Sequence, residues 1–149
     1  MVKQRKPITV LIADDDPDDQ RLTREALAAS AFANDLRFVG DGEELLDYLY
    51  GRGKFMDPAS APRPELILLD LNMPRKDGRE ALREIKQDPE LRSIPVIVFS
   101  VSQSQEDIAR AYDLGANSYM IKPISFSELI NSLRCWSDYW LNTVKLASR

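Results

Sequence analysis

Residues 66–74 read LILLDLNMP, four large apolar residues that run directly into a carboxylate at Asp70. The apolar run does not alternate with polar residues, which is typical of a parallel strand covered on both faces. A carboxylate is costly to bury unless it is paired. We therefore predict that the strand ends at Asp70 and that Asp70 lies at the rim of a sheet, with Asn72 and Pro74 just beyond it.

Strands and helices alternate along the whole chain. Apolar, β-branched runs predict the strands, while helical spacing, capping residues and glycine stops predict the helices between them. The predicted strands cover 8–13, 36–39, 66–70, 95–99 and 118–121, and the predicted helices cover 17–30, 43–50, 79–87, 105–114 and 125–144. Five such repeats predict an α/β fold, a parallel sheet with helices on both faces.

The composition restricts the chemistry that the chain can perform. Its 149 residues contain no histidine and one cysteine, Cys135, which excludes a Ser-His-Asp triad, a Cys-His pair and the usual zinc sites. The net charge of -4 argues against nonspecific nucleic-acid binding, and no apolar run reaches the ~20 residues of a membrane helix. A lone cysteine is typical of a reducing compartment, so we expect a cytoplasmic protein with one domain over 1–149.

Two segments depart from the regular alternation. Residues 51–64 (GRGKFMDPASAPRP) are rich in Gly and Pro and predict a long loop inserted in the domain. Because only the predicted helix 125–144 and a short tail follow Pro123, we expect no DNA-binding domain there. That helix is extended, and its apolar residues recur at helical spacing, namely Phe126, Leu129, Ile130, Leu133, Trp136, Trp140 and Val144.

Polar side chains follow four of the five predicted strands. In an open parallel sheet the carboxyl ends of the strands meet at one rim, where ligands bind. Carboxylates at that rim suit Mg²⁺, and one carboxylate can accept a phosphoryl group, whose oxygens an ammonium and a hydroxyl can stabilise. The residues that the strands bring to this rim are Asp14, Asp15, Asp16, Asp70, Asn72, Ser100 and Lys122.

These residues also carry a family resemblance, because the chain resembles the receiver domain of two-component response regulators. The resemblance rests on the acidic pair Asp14-Asp15 and on the segments DLNMP (70–74), KDG (76–78), PVIVFS (95–100) and YMIKP (119–123). It covers nearly the whole chain. It implies a flavodoxin-like (βα)5 fold, a doubly wound parallel sheet with the strand order 2-1-3-4-5.

The resemblance implies a role for each acidic residue at the rim. Asp70 would be the phosphoacceptor. Asp15 and Asp70 would bind Mg²⁺ through their side chains, Asn72 would bind it through its backbone carbonyl, and Asp14 would contribute through a water molecule.

The resemblance also implies how phosphorylation is detected. Ser100 and Lys122 would each bond a phosphoryl oxygen, and Tyr119 would move inward as Ser100 is drawn to the phosphate. The Lys122–Pro123 peptide bond is commonly cis in the family.

Partners follow from the resemblance as well. The phosphoryl donor would be a histidine kinase, and the 51–64 loop together with the long aromatic helix is similar to the small single-domain regulators of bacterial phytochromes. Tyr139 and Trp140 lie late in that helix, and aromatic residues are enriched at interfaces. We therefore expect a homodimer through helix five and its neighbours, whereas Trp136 fits the core equally well.

Two other functions fit parts of the sequence. Asp14-x-Asp16 after a strand, with a later Ser and Lys, is similar to haloacid-dehalogenase-type phosphatases, in which Asp14 would be the nucleophile. The chain is short for that fold and lacks its downstream acidic pair. A binding module that works without phosphorylation is the other alternative, and the intact Asp70 and Lys122 argue against it. We expect a signalling protein rather than an enzyme, with self-phosphorylation and self-dephosphorylation at Asp70.

Overall fold

One sheet of five parallel strands forms the centre of the computed structural model, which describes residues 7–28 and 34–147. The strands lie in the order β2-β1-β3-β4-β5. This order and the parallel pairing confirm the flavodoxin-like α/β fold that the resemblance implied. The strands are β1 (Ile8–Ala13), β2 (Asn34–Val39), β3 (Leu66–Leu69), β4 (Val96–Ser100) and β5 (Ser118–Ile121).

The α-helices in these residues are α1 (Pro17–Ala28), α2 (Gly42–Tyr50), α3 (Gly78–Gln87), α4 (Gln105–Asp113) and α5 (Phe126–Ser137). From α2 onward, each helix is preceded by an Asp or Ser whose side chain accepts a hydrogen bond from a backbone N–H of the first turn. These caps explain why the helices begin within one residue of the predicted positions. The predicted end of the first helix, at 29–30, lies outside the described residues. Over the described part of the chain, no helix is both long and apolar enough to cross a membrane.

The segment 51–64 was predicted as a plain loop, but it contains two 3-10 turns, Gly53–Phe55 and Pro58–Ser60. Tyr48 of α2 donates from its Oη to the Pro62 carbonyl at 2.8 Å and so fixes the far end of the segment. The segment is therefore an ordered addition that packs against α2.

The predicted helix 125–144 changes its hydrogen-bonding pattern partway along. After α5 the chain continues as a π-helical segment, Asp138–Thr143, and the Val144 N–H donates to the Tyr139 carbonyl at 2.8 Å. Because a π-turn contains an extra residue, it changes which side chains face the sheet.

The apolar face of this last helix differs from the predicted one in two places. Leu141 is fully buried although the spacing did not mark it, and Phe126 is 59% exposed although the spacing placed it on the apolar side. Trp136 is buried in the core. The π-helical turn accounts for Leu141, and Phe126 is the first residue of α5.

Two apolar cores lie on opposite faces of the sheet, since successive strand side chains point to opposite sides. On β1, Leu11 and Ala13 face one core, and Val10 and Ile12 face the other. The first core is covered by α2, α3 and α4, and the second by α1 and α5. Because helices cover both faces of the sheet, the strands are continuous apolar runs in the sequence.

The strand register aligns the carboxyl ends of the strands at one rim. The backbone hydrogen bonds continue one residue beyond the strands, so that the Asp70 N–H donates to the Ala13 carbonyl at 2.9 Å. In the same way the Lys122 N–H donates to the Ser100 carbonyl at 2.7 Å, and the Asp14 N–H bonds the end of β2 at 3.0 Å. The backbone thus places Asp14, Asp70, Ser100 and Lys122 in this order along one rim, with β4 between the strands that end in Asp70 and Lys122.

Gly78 allows α3 to begin directly against this rim. Its N–H donates to the Leu71 carbonyl at 3.0 Å. A Cβ at this position would lie 2.5 Å from the Asp70 carbonyl oxygen and 2.7 Å from Leu71 Cα. These distances are far below van der Waals contact, so any larger residue would displace the backbone beside Asp70.

We expect Gly78→Ala to lower the free energy of unfolding by about 1–3 kcal/mol, because the added methyl group overpacks against backbone that cannot move freely. Urea unfolding followed by circular dichroism would measure the change. Gly40→Ala is the matched control, because nothing lies within 4 Å of a Cβ there. Equal effects of the two substitutions would contradict this account of how α3 packs.

Candidate functional site

Three carboxylates from two strand ends lie together at the rim. Asp14 and Asp15 follow β1 and Asp70 follows β3, and each offers a carboxylate oxygen within 4.8 Å of the others. Asp14 and Asp70 are buried, whereas Asp15 is exposed. Negative charges at this spacing repel one another unless positive charge lies among them.

The ammonium of Lys122 supplies part of that positive charge. Its Nζ donates to Asp14 Oδ2 at 2.8 Å, to Asp19 Oδ2 at 3.0 Å and to Asp70 Oδ2 at 3.2 Å. These three acceptors use all the N–H donors of the ammonium. The Nζ also lies 5.6 Å from the centre of the Phe99 ring, in the range of a cation–π contact. Lys122 thus ties the end of β5 to both acidic strand ends and to α1.

Burial and charge act in opposite directions on these groups. Burial raises the pKa of Asp70 and the pKa of Asp14 above their ordinary values, and the charge of Lys122 offsets part of this effect. Burial alone would lower the pKa of Lys122, but the charges of Asp70 and Asp14 outweigh it and hold that pKa above its ordinary value. Lys122 therefore remains protonated at neutral pH and is a permanent positive charge in the site.

The backbone also orients the two buried carboxylates. The Asp16 N–H donates to Asp14 Oδ1 at 3.0 Å, and the Asn72 N–H donates to Asp70 Oδ1 at 3.1 Å. In both turns an aspartate side chain bonds the backbone two residues further along. Each of the two carboxylates therefore accepts a hydrogen bond from the backbone with one oxygen and from Lys122 with the other. The exposed residue Asn72 lies directly beside Asp70.

Ser100 ends β4 at the same level of the sheet. The residue is fully buried, and its Oγ accepts a hydrogen bond from the Ser102 N–H at 3.2 Å. The Ser102 hydroxyl in turn donates to Asp107 Oδ2 in α4 at 2.6 Å. Because a hydroxyl that accepts still has its own hydrogen, Ser100 keeps a donor for a ligand at the rim.

Tyr119 of β5 contacts the loop that follows Ser100. Its Oη donates to the Ser102 carbonyl at 2.9 Å, and its N–H donates to Tyr112 Oη in α4 at 3.1 Å. The ring is half-buried against the first core. Tyr119 therefore bridges the end of β4 and the surface formed by α4 and β5.

The structure brings together most of the residues that the sequence placed at the rim. Asp14, Asp70 and Lys122 are in direct contact, and Asp15 completes the acidic cluster. Ser100 pairs with β5 one residue before Lys122.

The sequence places Asp16 both at the acidic strand end and before the predicted helix, where it can cap that helix, and the structure confirms only the cap. Its Oδ1 accepts from the Asp18 N–H at 2.8 Å, and Asp16 does not join the acidic cluster. The Lys122–Pro123 peptide bond is trans, not cis as the resemblance implied.

Sequence reasoning missed Asp19. It lies in the first turn of α1, where an acidic residue is already favoured by the helix dipole, so no special role was evident. Nothing in the local pattern distinguishes it from Asp18, which is exposed. The choice between the two depends on the rotation of α1 relative to β5.

The donor set fits a divalent metal ion. Carboxylate oxygens are the ligands that hard cations such as Mg²⁺ and Mn²⁺ prefer, and three of them lie within 4.8 Å of one another here. A bound metal ion would also reduce the repulsion among the three carboxylates that the ammonium of Lys122 does not neutralise. The rim therefore holds the groups needed for phosphoryl transfer to a carboxylate: an acceptor, a cation site, an ammonium and a hydroxyl.

Comparison with known proteins agrees with this arrangement. The sequence model of the response regulator receiver domain family matches residues 10–134. Response regulator Rcp1 of Synechocystis sp. is 39% identical over 140 residues, which are 94% of this chain and 93% of Rcp1. The Mn²⁺-bound form of Rcp1 has a TM-score of 0.90 to this structure at 38% identity and covers 95% of this chain and 100% of that chain.

Two further solved structures are similar over nearly their whole length. The phosphorylated cyanobacterial phytochrome response regulator RcpA has a TM-score of 0.90 at 43% identity, with 96% of this chain and 100% of that chain covered. Response regulator RPA3017 in red light signalling of R. palustris has a TM-score of 0.86 at 42% identity, with 95% and 99% covered. The chain therefore belongs to the response regulator receiver domain family.

Proposed function

We propose that this receiver domain is a phosphorylation switch in which Asp70 accepts a phosphoryl group from a histidine kinase. The observation that carries the proposal is the Lys122 ammonium, which bonds both Asp70 and Asp14 beside Asp15 at the carboxyl end of the sheet. Membership of the receiver family supports it, and one similar regulator, RcpA, has been solved in phosphorylated form.

The transfer proceeds by attack of an Asp70 carboxylate oxygen on the phosphorus of a phosphohistidine. The new P–O bond forms as the P–N bond breaks, and the departing imidazole takes a proton from solvent. The chain contains no histidine, so the donor is another molecule. We also propose that the reaction takes place in the cytoplasm, where ATP is available to the kinase. The only chemistry on the chain itself is then gain and hydrolysis of the aspartyl phosphate.

Mg²⁺ is the cation that we assign to the acidic cluster, where it would neutralise charge on the transferred group. Asp15 and Asp70 would hold it through their side chains, Asn72 through its backbone carbonyl, and Asp14 through water. The three clustered carboxylates of Asp14, Asp15 and Asp70 support the acidic part of this set.

Ser100 and Lys122 would hold the phosphoryl oxygens. Lys122 is charged and near Asp70, and the Ser100 hydroxyl has a hydrogen to donate. If the Ser100 side chain changes its rotamer to reach the phosphoryl group, its Oγ moves away from the Ser102 N–H, which then loses its acceptor, and the loop must adjust. Tyr119 bonds that same loop through the Ser102 carbonyl, so it would move with it.

We expect acetyl phosphate with Mg²⁺ to label the wild-type chain and Asp70→Asn to abolish the labelling, because the attacking oxygen is gone. Intact-mass spectrometry would detect the added phosphoryl group, and chelation of Mg²⁺ should lower its yield strongly. Asp113→Asn is the matched control, since Asp113 is an exposed carboxylate at the end of α4.

One result would favour the phosphatase alternative instead. Turnover of p-nitrophenyl phosphate that Asp14→Asn removes and Asp70→Asn leaves intact would contradict Asp70 as the acceptor.

We further propose that the kinase belongs to the phytochrome class. RcpA is a phytochrome response regulator and RPA3017 acts in red light signalling, and both resemble this chain over nearly its whole length. We also propose that residues 1–149 form one receiver domain. This domain carries two additions, the segment 51–64 and the π-helical segment that follows α5.

A phytochrome-type histidine kinase, autophosphorylated with ATP, is expected to transfer its phosphoryl group at least about tenfold faster than a kinase from an unrelated system, because docking surfaces discriminate between partners. Loss of label from the kinase and its gain by this chain would give the two rates. Asp70→Asn is the negative control. Equal rates would contradict the phytochrome assignment and leave the role of Asp70 intact.

The output that we propose is a change in protein contacts, including a homodimer through α5 and its neighbours. Tyr139 is exposed, and its ring packs edge-to-face on Trp140 at 5.4 Å. Trp140 is half-buried against the second core, so Tyr139 is the more available of the two. Other exposed apolar residues lie at the end of β5 and the start of α5, namely Ile121, Ile124 and Phe126.

We expect Tyr139→Ser to weaken the dimer by about tenfold or more, since a central aromatic residue often dominates an interface. Sedimentation at roughly tens of micromolar, with and without phosphorylation, would measure it. Met56→Ser is the control, because Met56 is an exposed apolar residue on the α2 side. A wild-type chain that stays monomeric in both states would contradict the proposed dimer.

A further inference from the structure

Asp19 differs from the other carboxylates that bond Lys122 in the described part of the chain. Asp14 and Asp70 belong to the acidic cluster that fits a metal ion, but Asp19 does not. Its side chain is 31% exposed, compared with 6% for Asp14 and 11% for Asp70. Asp19 therefore bonds the ammonium from the solvent side of the site, through the first turn of α1.

The bonds of Lys122 conflict with the requirements of a bound cation. A divalent ion among Asp14, Asp15 and Asp70 would draw on two of the carboxylates that the ammonium bonds, Asp14 and Asp70, and the two positive charges repel each other. Asp19 offers an acceptor that such an ion does not need. Its negative charge also draws the ammonium toward α1, in competition with the Asp14 and Asp70 carboxylates that the ammonium bonds as well.

We infer that Asp19 is a positioning residue: it draws Lys122 toward α1, so that the ammonium competes less with the metal ion for Asp14 and Asp70. The inference rests on the proposed function, which puts a metal ion and a phosphoryl group at this rim. Without the charge of Asp19, Lys122 bonds Asp14 and Asp70 more tightly and the cluster binds the cation less well.

Asp18 provides a close control for this inference. It lies in the same turn of α1 and carries the same charge, but its side chain is 81% exposed and its ion pair with Arg21 is long, at 3.8 Å. Asp18→Asn and Asp19→Asn therefore change the net charge and the helix dipole equally. Only Asp19→Asn weakens the bond to Lys122.

The test is calorimetric titration of Mg²⁺ into the unphosphorylated wild type, Asp19→Asn, Asp19→Glu and Asp18→Asn. Asp19→Asn is expected to raise the Kd for Mg²⁺ about threefold or more relative to Asp18→Asn. The free energy of a partly exposed charge contact corresponds to a change in Kd of about that size. Asp19→Glu restores the charge and should return the Kd to within about twofold of the wild type. Asp19→Ser is titrated in parallel, so that the result does not depend on the folding of one variant.

Labelling by acetyl phosphate separates the possible failures. If the wild type binds Mg²⁺ and is labelled at Asp70, equal Kd values for Asp19→Asn and Asp18→Asn overturn the inference and leave the proposed function standing. Failure of Asp19→Glu to restore binding also overturns it. A wild type that binds no Mg²⁺ overturns the proposed function, and the inference with it.

Discussion

The buried ammonium of Lys122 is the group on which the arrangement of the rim depends. Three carboxylates from β1, β3 and α1 converge on it, and without it Asp14 and Asp70 would be buried negative charges in close proximity. Removing one partner from a buried ion pair typically costs about 3–5 kcal/mol, because the other charge is left unpaired. The ends of β1, β3 and β5 are therefore held together by charge as well as by the backbone.

The backbone makes this convergence possible. In a parallel sheet the strands all end at the same side, and the ladder bonds of Asp14, Asp70 and Lys122 extend the sheet by one residue. Residues 108 apart in the chain thus come within 2.8 Å of each other. From the same rim, hydrogen bonds run through Ser102 to Tyr119 and to Asp107 of α4. These bonds connect the Ser100 end of the rim to the α4–β5 surface.

Most of the fold could be predicted because local signals and global requirements agree. The apolar runs at 66–69 and 96–100 are covered on both faces, and the caps at Asp41 and Asp77 start α2 and α3 where the pattern predicts. The predictions failed where one local sequence pattern is compatible with two different structures. Helical spacing did not foresee the π-helical turn that buries Leu141, since the energy of that turn depends on packing against the second core.

The sequence by itself determined the chemistry of this protein: without histidine, it leaves carboxylates, hydroxyls and one lysine at the strand ends. It also determined which strands end in Asp14, Asp70, Ser100 and Lys122. Only the tertiary structure decided which acidic residues share the ammonium. Asp18 and Asp19 are the same residue type in the same first turn of α1, yet Asp19 contacts Lys122 and Asp18 faces solvent. The rotation of α1 against the sheet makes that choice, and it is set by the apolar residues on the opposite side of the helix, whose burial against the second core outweighs an exposed charge contact.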